Sequence, residues 1–275
     1  MGRRRSATYQ RQEEIKNLIR AGVRRVDEIA EIVGVSPSTV RRDLMYLEDE
    51  GTVTRTLGGA LPGLNVHERA LSERESVAVV AKAAIGAAAA RLLPADATTV
   101  FVDAGSTCAQ VLPHLRARGG LTVITRGLEI ALALADEPNL DVIVVGGKVY
   151  RKSHGLAGVL ATQALERLYV DMAFLGCDGV HPTNGVGEPT MDEAHTKGVV
   201  AARAGSAVVL AHAQKLTSPQ AAWAPLPPGW TLVTDESSEE ILAPYTRAGV
   251  QVITASEDDY ARARGNAATP LRAIR

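Results

Sequence analysis

The sequence predicts an α/β protein in two parts: an N-terminal three-helix winged helix-turn-helix and a C-terminal, mainly parallel α/β domain. Three observations predict this. Residues 25–44, RVDEIAEIVGVSPSTVRRDL, repeat apolar side chains at helical spacing on either side of a turn. GTVTRTLGGAL at 51–61 reads as two short strands about a tight loop. From residue 76 onward, continuous apolar strands alternate with helices, the pattern of a parallel sheet covered on both faces.

The first part justifies itself helix by helix. Ile15, Leu18 and Ile19 give the opening stretch an apolar face. Ile29, Ala30 and Val33 do the same for the second helix, and Gly34 permits the turn. Ser36 is placed to cap the third helix, and Pro37 suits its first position. Val40, Leu44 and Leu47 share one face, which packs inward. Ser38, Arg42 and Met45 lie opposite, with Thr39 and Arg41 on the flanks. Short polar side chains followed by arginines suit entry into a DNA major groove. An ordinary helical hairpin with a solvated arginine pair has the same pattern.

Charge favours the groove. Residues 1–25 hold eight cations (Arg3, Arg4, Arg5, Arg11, Lys16, Arg20, Arg24, Arg25) against Glu13 and Glu14, in a chain of net charge −1. A basic end on a near-neutral protein fits phosphate contact. Gly51 is expected to end the third helix. Arg55, on the hairpin, can reach a phosphate or the minor groove, or pair with Glu48, Asp49 and Glu50. The candidate DNA contacts are therefore Ser36, Ser38, Thr39, Arg41, Arg42 and Arg55.

The chain of 275 residues leaves room for a second core. The expected boundaries are 1–60 for the winged helix, 61–75 for a linker with Pro62, Gly63 and Asn65, 76–255 for the second domain and 256–275 for a partly disordered tail. Aromatic residues make up only 4%, so the second core must be aliphatic. Cys108 and Cys177 sit in separate apolar segments and read as buried free thiols. No cysteine–histidine spacing suggests zinc, so neither metal nor cofactor is expected. The basic start is not followed by an apolar run, and Lys82 and Arg91 interrupt the apolar stretch 77–93, so neither a signal peptide nor a membrane span is expected. The expected location is the cytoplasm, on the nucleoid when bound to DNA.

In the second domain the expected strands are 98–102, 121–125, 140–145, 170–175, 206–211, 231–234 and 250–254. The expected helices are 76–92, one from about 107, 127–136, 157–168, 191–204 and 238–248. Ligands of such sheets sit beyond the C-terminal strand ends. There the sequence offers Asp103-Ala104-Gly105-Ser106-Thr107, then Thr125-Arg126, then Gly146-Gly147-Lys148 with Arg151 and Lys152, then Gly176-Cys177-Asp178-Gly179. Gly105 lets the backbone approach a ligand, and Ser106 and Thr107 open a turn suited to an anion. Asp178 can accept sugar hydroxyls or cap a turn. Glu193 and Lys197, four apart, can be ligand groups or a helix-surface pair. Each feature has a plain structural alternative: an N-capped turn, a solvated loop, a surface pair. Their repetition at successive strand ends favours a polyhydroxy, anionic ligand.

Taken in order, these stretches resemble the DeoR family of bacterial transcription regulators over about residues 8–255. The carriers are TVRRDL (39–44), RTLGG (55–59), Glu73-Arg74, Lys82, DAGST (103–107), GGKVYRK (146–152), FLGCDG (174–179) and Glu193 to Lys197. The resemblance implies a C-terminal sensor domain similar to ribose-5-phosphate isomerase and the CoA-transferases. It implies a repressor of carbohydrate genes on a double-stranded DNA operator, released by a phosphorylated sugar, and a homo-oligomer, dimer or tetramer. Its implied effector residues are Asp103, Gly105, Ser106, Thr107, Arg126, Gly146, Gly147, Arg151, Lys152, Asp178, Gly179, Glu193, Lys197 and Lys215.

Two positions depart from the family pattern. Thr125-Arg126 stands where Thr-Asn is usual, and Ala211-His212-Ala213-Gln214-Lys215-Leu216 where Ala-Asp-Ser-Ser-Lys-Phe is usual. A gained guanidinium and a lost carboxylate would make the site more cationic, unless these side chains point away from the ligand. The competing function is a sugar-phosphate isomerase with an accessory DNA-binding domain, whose base would come from Asp103, Asp178 or Glu193. An enzyme has little use for a winged helix.

Overall fold

The computed structural model describes residues 2–49, 53–56, 59–62, 71–216, 218–256 and 258–261. The chain forms two compact units that meet in sequence between Glu68 and Arg69, inside the expected linker.

The N-terminal unit is three helices and a hairpin: α1 (Gly2–Arg20), α2 (Val26–Val33), α3 (Pro37–Asp49), β1 (Val53–Thr56) and β2 (Gly59–Pro62). Ile15, Ile19, Val26, Ile29, Ala30, Val40, Leu44 and Leu47 are buried together, closed by Val53 and Ala60 of the hairpin. Val33, expected on the α2 face, is only half-buried. Gly34 caps α2 at φ +70, as the turn requires. The α3 start follows the capping reading: the Thr39 amide donates to Ser36 Oγ at 3.2 Å, and Pro37 begins the helix. Antiparallel β1 and β2 pair Val53 with Pro62 and Thr56 with Gly59, a hairpin with a two-residue loop. The Ala60 amide donates to Arg24 O at 2.8 Å and docks the hairpin beside α2. Gly51 and the Arg55 side chain lie outside the described residues.

One expected phosphate cation has structural work instead. Arg11 donates to buried Asp43 from Nε at 2.6 Å and from Nη2 at 3.1 Å, and Gln12 adds a bond at 3.2 Å. This fork ties α1 to α3, and it raises the proton affinity of Arg11.

The C-terminal unit runs α4 (Leu71–Glu75), α5 (Val79–Ala90), β3 (Thr99–Val102), α6 (Leu112–Arg118), β4 (Leu121–Thr125), α7 (Leu128–Leu134), β5 (Leu140–Val144), β6 (Lys148–Val149), β7 (Leu156–Ala157), α8 (Val159–Leu165), β8 (Val170–Leu175), β9 (Gly179–His181), β10 (Gly185–Glu188), α9 (Met191–Ala202), β11 (Ala204–Leu210), β12 (Ala222–Ala224), β13 (Thr231–Thr234), α10 (Glu239–Arg247) and β14 (Gln251–Thr254). Seven strands form one sheet in the order β14-β13-β11-β8-β3-β4-β5. Every neighbouring pair is parallel. Strand side chains alternate faces, so Val100, Val102, Met172 and Phe174 enter one core and Phe101, Ala173 and Leu175 the other. That double burial is why the strands read as unbroken apolar runs.

The strand order reverses between β3 and β8. From β3 the sheet grows through β4 to β5 on one side, and through β8, β11, β13 and β14 on the other. Such a switch point opens a crevice at the carboxyl ends of the two central strands.

Four features differ from expectation. The stretch read as linker contains α4. The loop with Gly146 and Gly147 leads into the β6–β7 hairpin, and a second small sheet, β12-β10-β9, stands apart from the main one. The tail begins with ordered chain: Asp259 is buried, pairs with Arg91 and bonds Ser256 at 2.9 Å, while Tyr260 packs on Ala83 and Ala87.

Close packing generates a test. A Cβ on Gly86 of α5 would stand 2.4 Å from Gln110 Cβ and 2.6 Å from its backbone. Gly86→Ala gains about 1 kcal/mol of helix propensity but forces overpacking, which typically costs about 1–3 kcal/mol. Urea unfolding should show a net loss of stability; a gain would mean that α5 can move away.

Candidate functional site

The outward face of α3 is built by its own cap and core. Ser36 Oγ lies 2.8 Å from Ser38 Oγ and 2.9 Å from Thr39 Oγ1, which fixes the hydroxyls at the helix start. With Val40, Leu44 and Leu47 buried, Ser38, Arg41, Arg42, Met45 and Tyr46 are exposed and Thr39 is half-buried. Two guanidinium groups and an apolar side chain thus share a face with short hydroxyls, a set able to meet base edges and thymine methyls.

The second constellation sits at the switch point. Asp103, one residue past β3, is fully buried. Its backbone amide donates to Phe174 O at 3.0 Å, which continues the β3–β8 pairing. Its carboxylate accepts from Arg126 Nε at 2.5 Å, from the Ala104 amide at 2.8 Å and from the Gly176 amide at 3.1 Å, and stands 3.2 Å from Lys197 Nζ. Burial alone would push its pKa up, but Arg126 and Lys197 outweigh it and hold the carboxyl below its usual range. Lys197 also donates to Gly176 O at 2.9 Å and pairs with buried Glu188. Desolvation, with Asp178 and Glu193 nearby, lifts Glu188 to about 8 despite Lys197.

The helix-surface reading of Glu193 and Lys197 is therefore corrected. Both are buried, and they face different partners. Glu193 accepts from Ser153 Oγ at 2.9 Å and from Thr190 Oγ1 at 3.0 Å, and lies 4.0 Å from Arg126 Nη1. Thr190 Oγ1 in turn accepts the Glu193 amide at 3.3 Å, the side-chain N-cap that starts α9.

Arg126 also departs from expectation. It is 1% exposed, consumed by Asp103 on one side and approached by Glu193 on the other, so it adds no open cation. Asp103 likewise offers no solvent-facing oxygen for a sugar hydroxyl.

Further cations link Ser106 to Asp178. Lys82 of α5 donates to Ser106 Oγ at 3.0 Å and to Arg74 O at 2.5 Å. Lys215 donates to Asp178 Oδ1 at 2.7 Å, and Arg74 Nη1 lies 3.7 Å from the same oxygen. Desolvation, with the charges of Arg74 and Lys215, lowers Lys82 to about 8. The same physics, burial plus Lys215 and Lys82, depresses His212 to about 4, so its imidazole is neutral at pH 7. Lys215 and Arg74 thus meet at Asp178, while Asp235 lies near His212 and Glu75 near Lys82.

The other expected residues take defined places. Gly105 adopts φ +116, and Thr107 is half-buried at the turn before the 3-10 segment Cys108–Val111. Gly146 is exposed, whereas Gly147 packs under β7, where a Cβ would meet Ala157 O at 2.8 Å. Arg151 is exposed and Lys152 half-buried on the β6–β7 turn, where the Lys152 carbonyl accepts Arg74 Nη2 at 3.0 Å. Gly179 lies against Ser218 O, 2.5 Å from where a Cβ would stand. Both cysteines are free, Cys108 buried and Cys177 half-buried. Among the described residues no His, Cys, Asp and Glu group is arranged to hold a metal ion, and no helix is long and apolar enough to cross a membrane.

Comparison with known proteins matches both units. Residues 11–62 match the model of the DeoR-like helix-turn-helix domain, and residues 77–236 that of the DeoR C terminal sensor domain. The chain belongs to the DeoR family. The HTH-type transcriptional regulator GlpR of Haloferax volcanii is 33% identical over 194 residues, which cover 70% of this chain and 75% of that protein. The uncharacterized HTH-type transcriptional regulator YgbI of Escherichia coli K12 is 32% identical, over 75% of this chain and 80% of its own. The HTH-type transcriptional repressor GlcR of Bacillus subtilis is 29% identical, over 85% and 90%. Among solved structures, ribose 5-phosphate isomerase A of Methanocaldococcus jannaschii aligns over 49% of this chain and 52% of that one, at 19% identity and a TM-score of 0.36. That level of likeness carries no functional argument. This DeoR-family chain is a DNA-binding transcriptional regulator.

Sequence reasoning placed Lys82 and Arg74 in the family pattern but not in the site. A charged residue inside VVAKAAIGAAAA was the available signal, because a lysine in so apolar a helix needs a polar destination.

Two substitutions test these constellations. Arg42→Ala should weaken binding to an operator selected from a random duplex pool by about 1–3 kcal/mol if Arg42 reads a base. Equal weakening on random DNA, measured by anisotropy, would assign it to phosphate alone. Arg126→Ala should lower unfolding stability by about 3–5 kcal/mol, because it strips a buried carboxylate of its closest cation. A loss below 1 kcal/mol in urea would show that Lys197 suffices for Asp103.

Proposed function

We propose that this regulator represses carbohydrate genes and is released by a phosphorylated sugar bound at the β3–β8 switch point. The observation that carries the reading is the contact of Lys82 with Ser106, in a cluster that runs through the Arg74 carbonyl to Arg74, Asp178 and Lys215. In this reading Ser106, Thr107, Lys82 and Lys215 hold the phosphate. Asp178, with Arg151 and Lys152 on the β6–β7 turn, faces the sugar hydroxyls, and Gly105 and Gly146, with open space beside them, leave room for the ligand, whereas Gly179 packs on Ser218. Asp103, Arg126, Glu193 and Lys197 form the rigid floor beneath it. Repression is supported by relatives named as repressors, GlcR among them. Two winged helices, paired by the C-terminal units of a homo-oligomer, would occupy a repeated or palindromic operator.

Titration calorimetry of the full chain with pentose and hexose phosphates, and with the free sugars, tests the phosphate. Lys82→Met should weaken the phosphorylated ligand by about 10–100-fold, the worth of one charge-assisted bond. Equal affinity for phosphorylated and free sugars would refute the assignment.

The reading also fixes a pH dependence. Lys82 loses its charge as pH rises through about 8, and Glu188 gains one over the same interval. Both changes oppose an anion, while a sugar phosphate is already dianionic above about pH 6. Affinity should fall between pH 7 and 9, and Lys82→Met should flatten that fall. A constant affinity across the interval would place the phosphate away from Lys82.

A further inference from the structure

We propose that Arg74 is the residue through which an occupied effector site acts on the segment joining the two units. The proposal rests on the phosphate reading above. It starts from position in the chain: α4 opens only a few residues after the division between Glu68 and Arg69. Any signal from the C-terminal unit to the helix-turn-helix along the chain passes through this segment.

Arg74 ties α4 to the site at three points. Nη2 donates to Lys152 O at 3.0 Å, Nη1 faces Asp178 Oδ1 at 3.7 Å, and its own carbonyl accepts Lys82 Nζ at 2.5 Å. Leu71, one turn earlier, is buried and anchors the same short helix. The partners of Arg74 are the residues that an anion would recruit. Lys82 divides its bonds between Arg74 O and Ser106 Oγ. Lys215 now occupies Asp178 at 2.7 Å, closer than Arg74 does.

An arriving phosphate draws on both lysines. Lys82 has a third donor for it and keeps its bond to the α4 carbonyl. As Lys215 turns, Arg74 is the cation left within 4 Å of Asp178 among the described residues. A charge-assisted guanidinium–carboxylate bond closes to about 2.7–2.9 Å, whereas the present separation is 3.7 Å. Arg74 then closes on Asp178 and draws α4 with it. The exchange of partners gives the effector different contacts in the two states, which is what a shift in equilibrium requires. Arg74 is a positioning residue here: it moves the segment and leaves the phosphate to the lysines.

Hydrogen exchange of the full chain, read by mass spectrometry over residues 71–77, tests this with inorganic phosphate as the probe and calorimetry as an independent measure of binding. Phosphate should slow exchange over that segment by about five- to thirtyfold, the change expected of one added local bond. Arg74→Gln should still bind phosphate in the calorimeter yet show less than about twofold slowing. Arg74→Lys, which keeps charge but not the fork, should give an intermediate response and guards against a folding defect in the glutamine variant. Phosphate that binds the unaltered chain without slowing exchange, or slows it equally in Arg74→Gln, overturns the coupling and leaves the phosphate site standing. Failure of phosphate to bind the unaltered chain overturns both.

Discussion

A carboxylate buried at the centre of the sheet is the constraint on which the C-terminal unit depends. Asp103 stands where β3 ends and the strand order reverses, with no exposure to water. An unpaired carboxylate there would be costly, so the chain must bring cations to it. It brings them from opposite sides: Arg126 from the end of β4 and Lys197 from α9. Each cation then needs its own anion, so Glu188 and Glu193 are drawn inward as well. The result joins three strand ends and one helix through charge, with β8 added through the Gly176 backbone, and it holds the Gly105–Thr107 turn in place.

The fold was legible because its main sheet is buried on both faces. The strands at 121–125, 170–175 and 231–234 appear with the boundaries read from the sequence. The small sheet of β9, β10 and β12 was not. Its strands are three or four residues long, and Gly179, Gly185 and Gly187 dilute their apolar pattern. The β6–β7 hairpin has two-residue strands and looked like a loop for the same reason. Helix α4 escaped because five residues give no measurable periodicity.

The site was legible as a collection of strand ends and not as a charge pattern. Spacing made Glu193 and Lys197 look like neighbours on a helix surface, since four residues bring side chains together. Only the fold shows that this face of α9 is inward, so that Lys197 turns to Asp103 and Glu193 to Ser153. Arg11 is the same lesson in the N-terminal unit. It counted toward a basic end, yet its fork belongs to Asp43. Composition records how many charges there are; partners determine how many remain for a ligand.

That distinction separates the two departures from the family pattern. The guanidinium gained at Arg126 is spent within the buried floor, where Asp103 and Glu193 already supply negative charge. It leaves the field near Ser106 little altered. The change at His212 acts where the open cations are. An acidic residue there would offset one of Lys82 and Lys215, whereas an imidazole depressed to about 4 is neutral at physiological pH and offsets neither. The charge of this cluster is therefore set by Lys82 and Lys215 against Asp178 and Asp235, and not by the buried Arg126. A mainly electrostatic preference of this protein for a more highly charged effector would trace to His212.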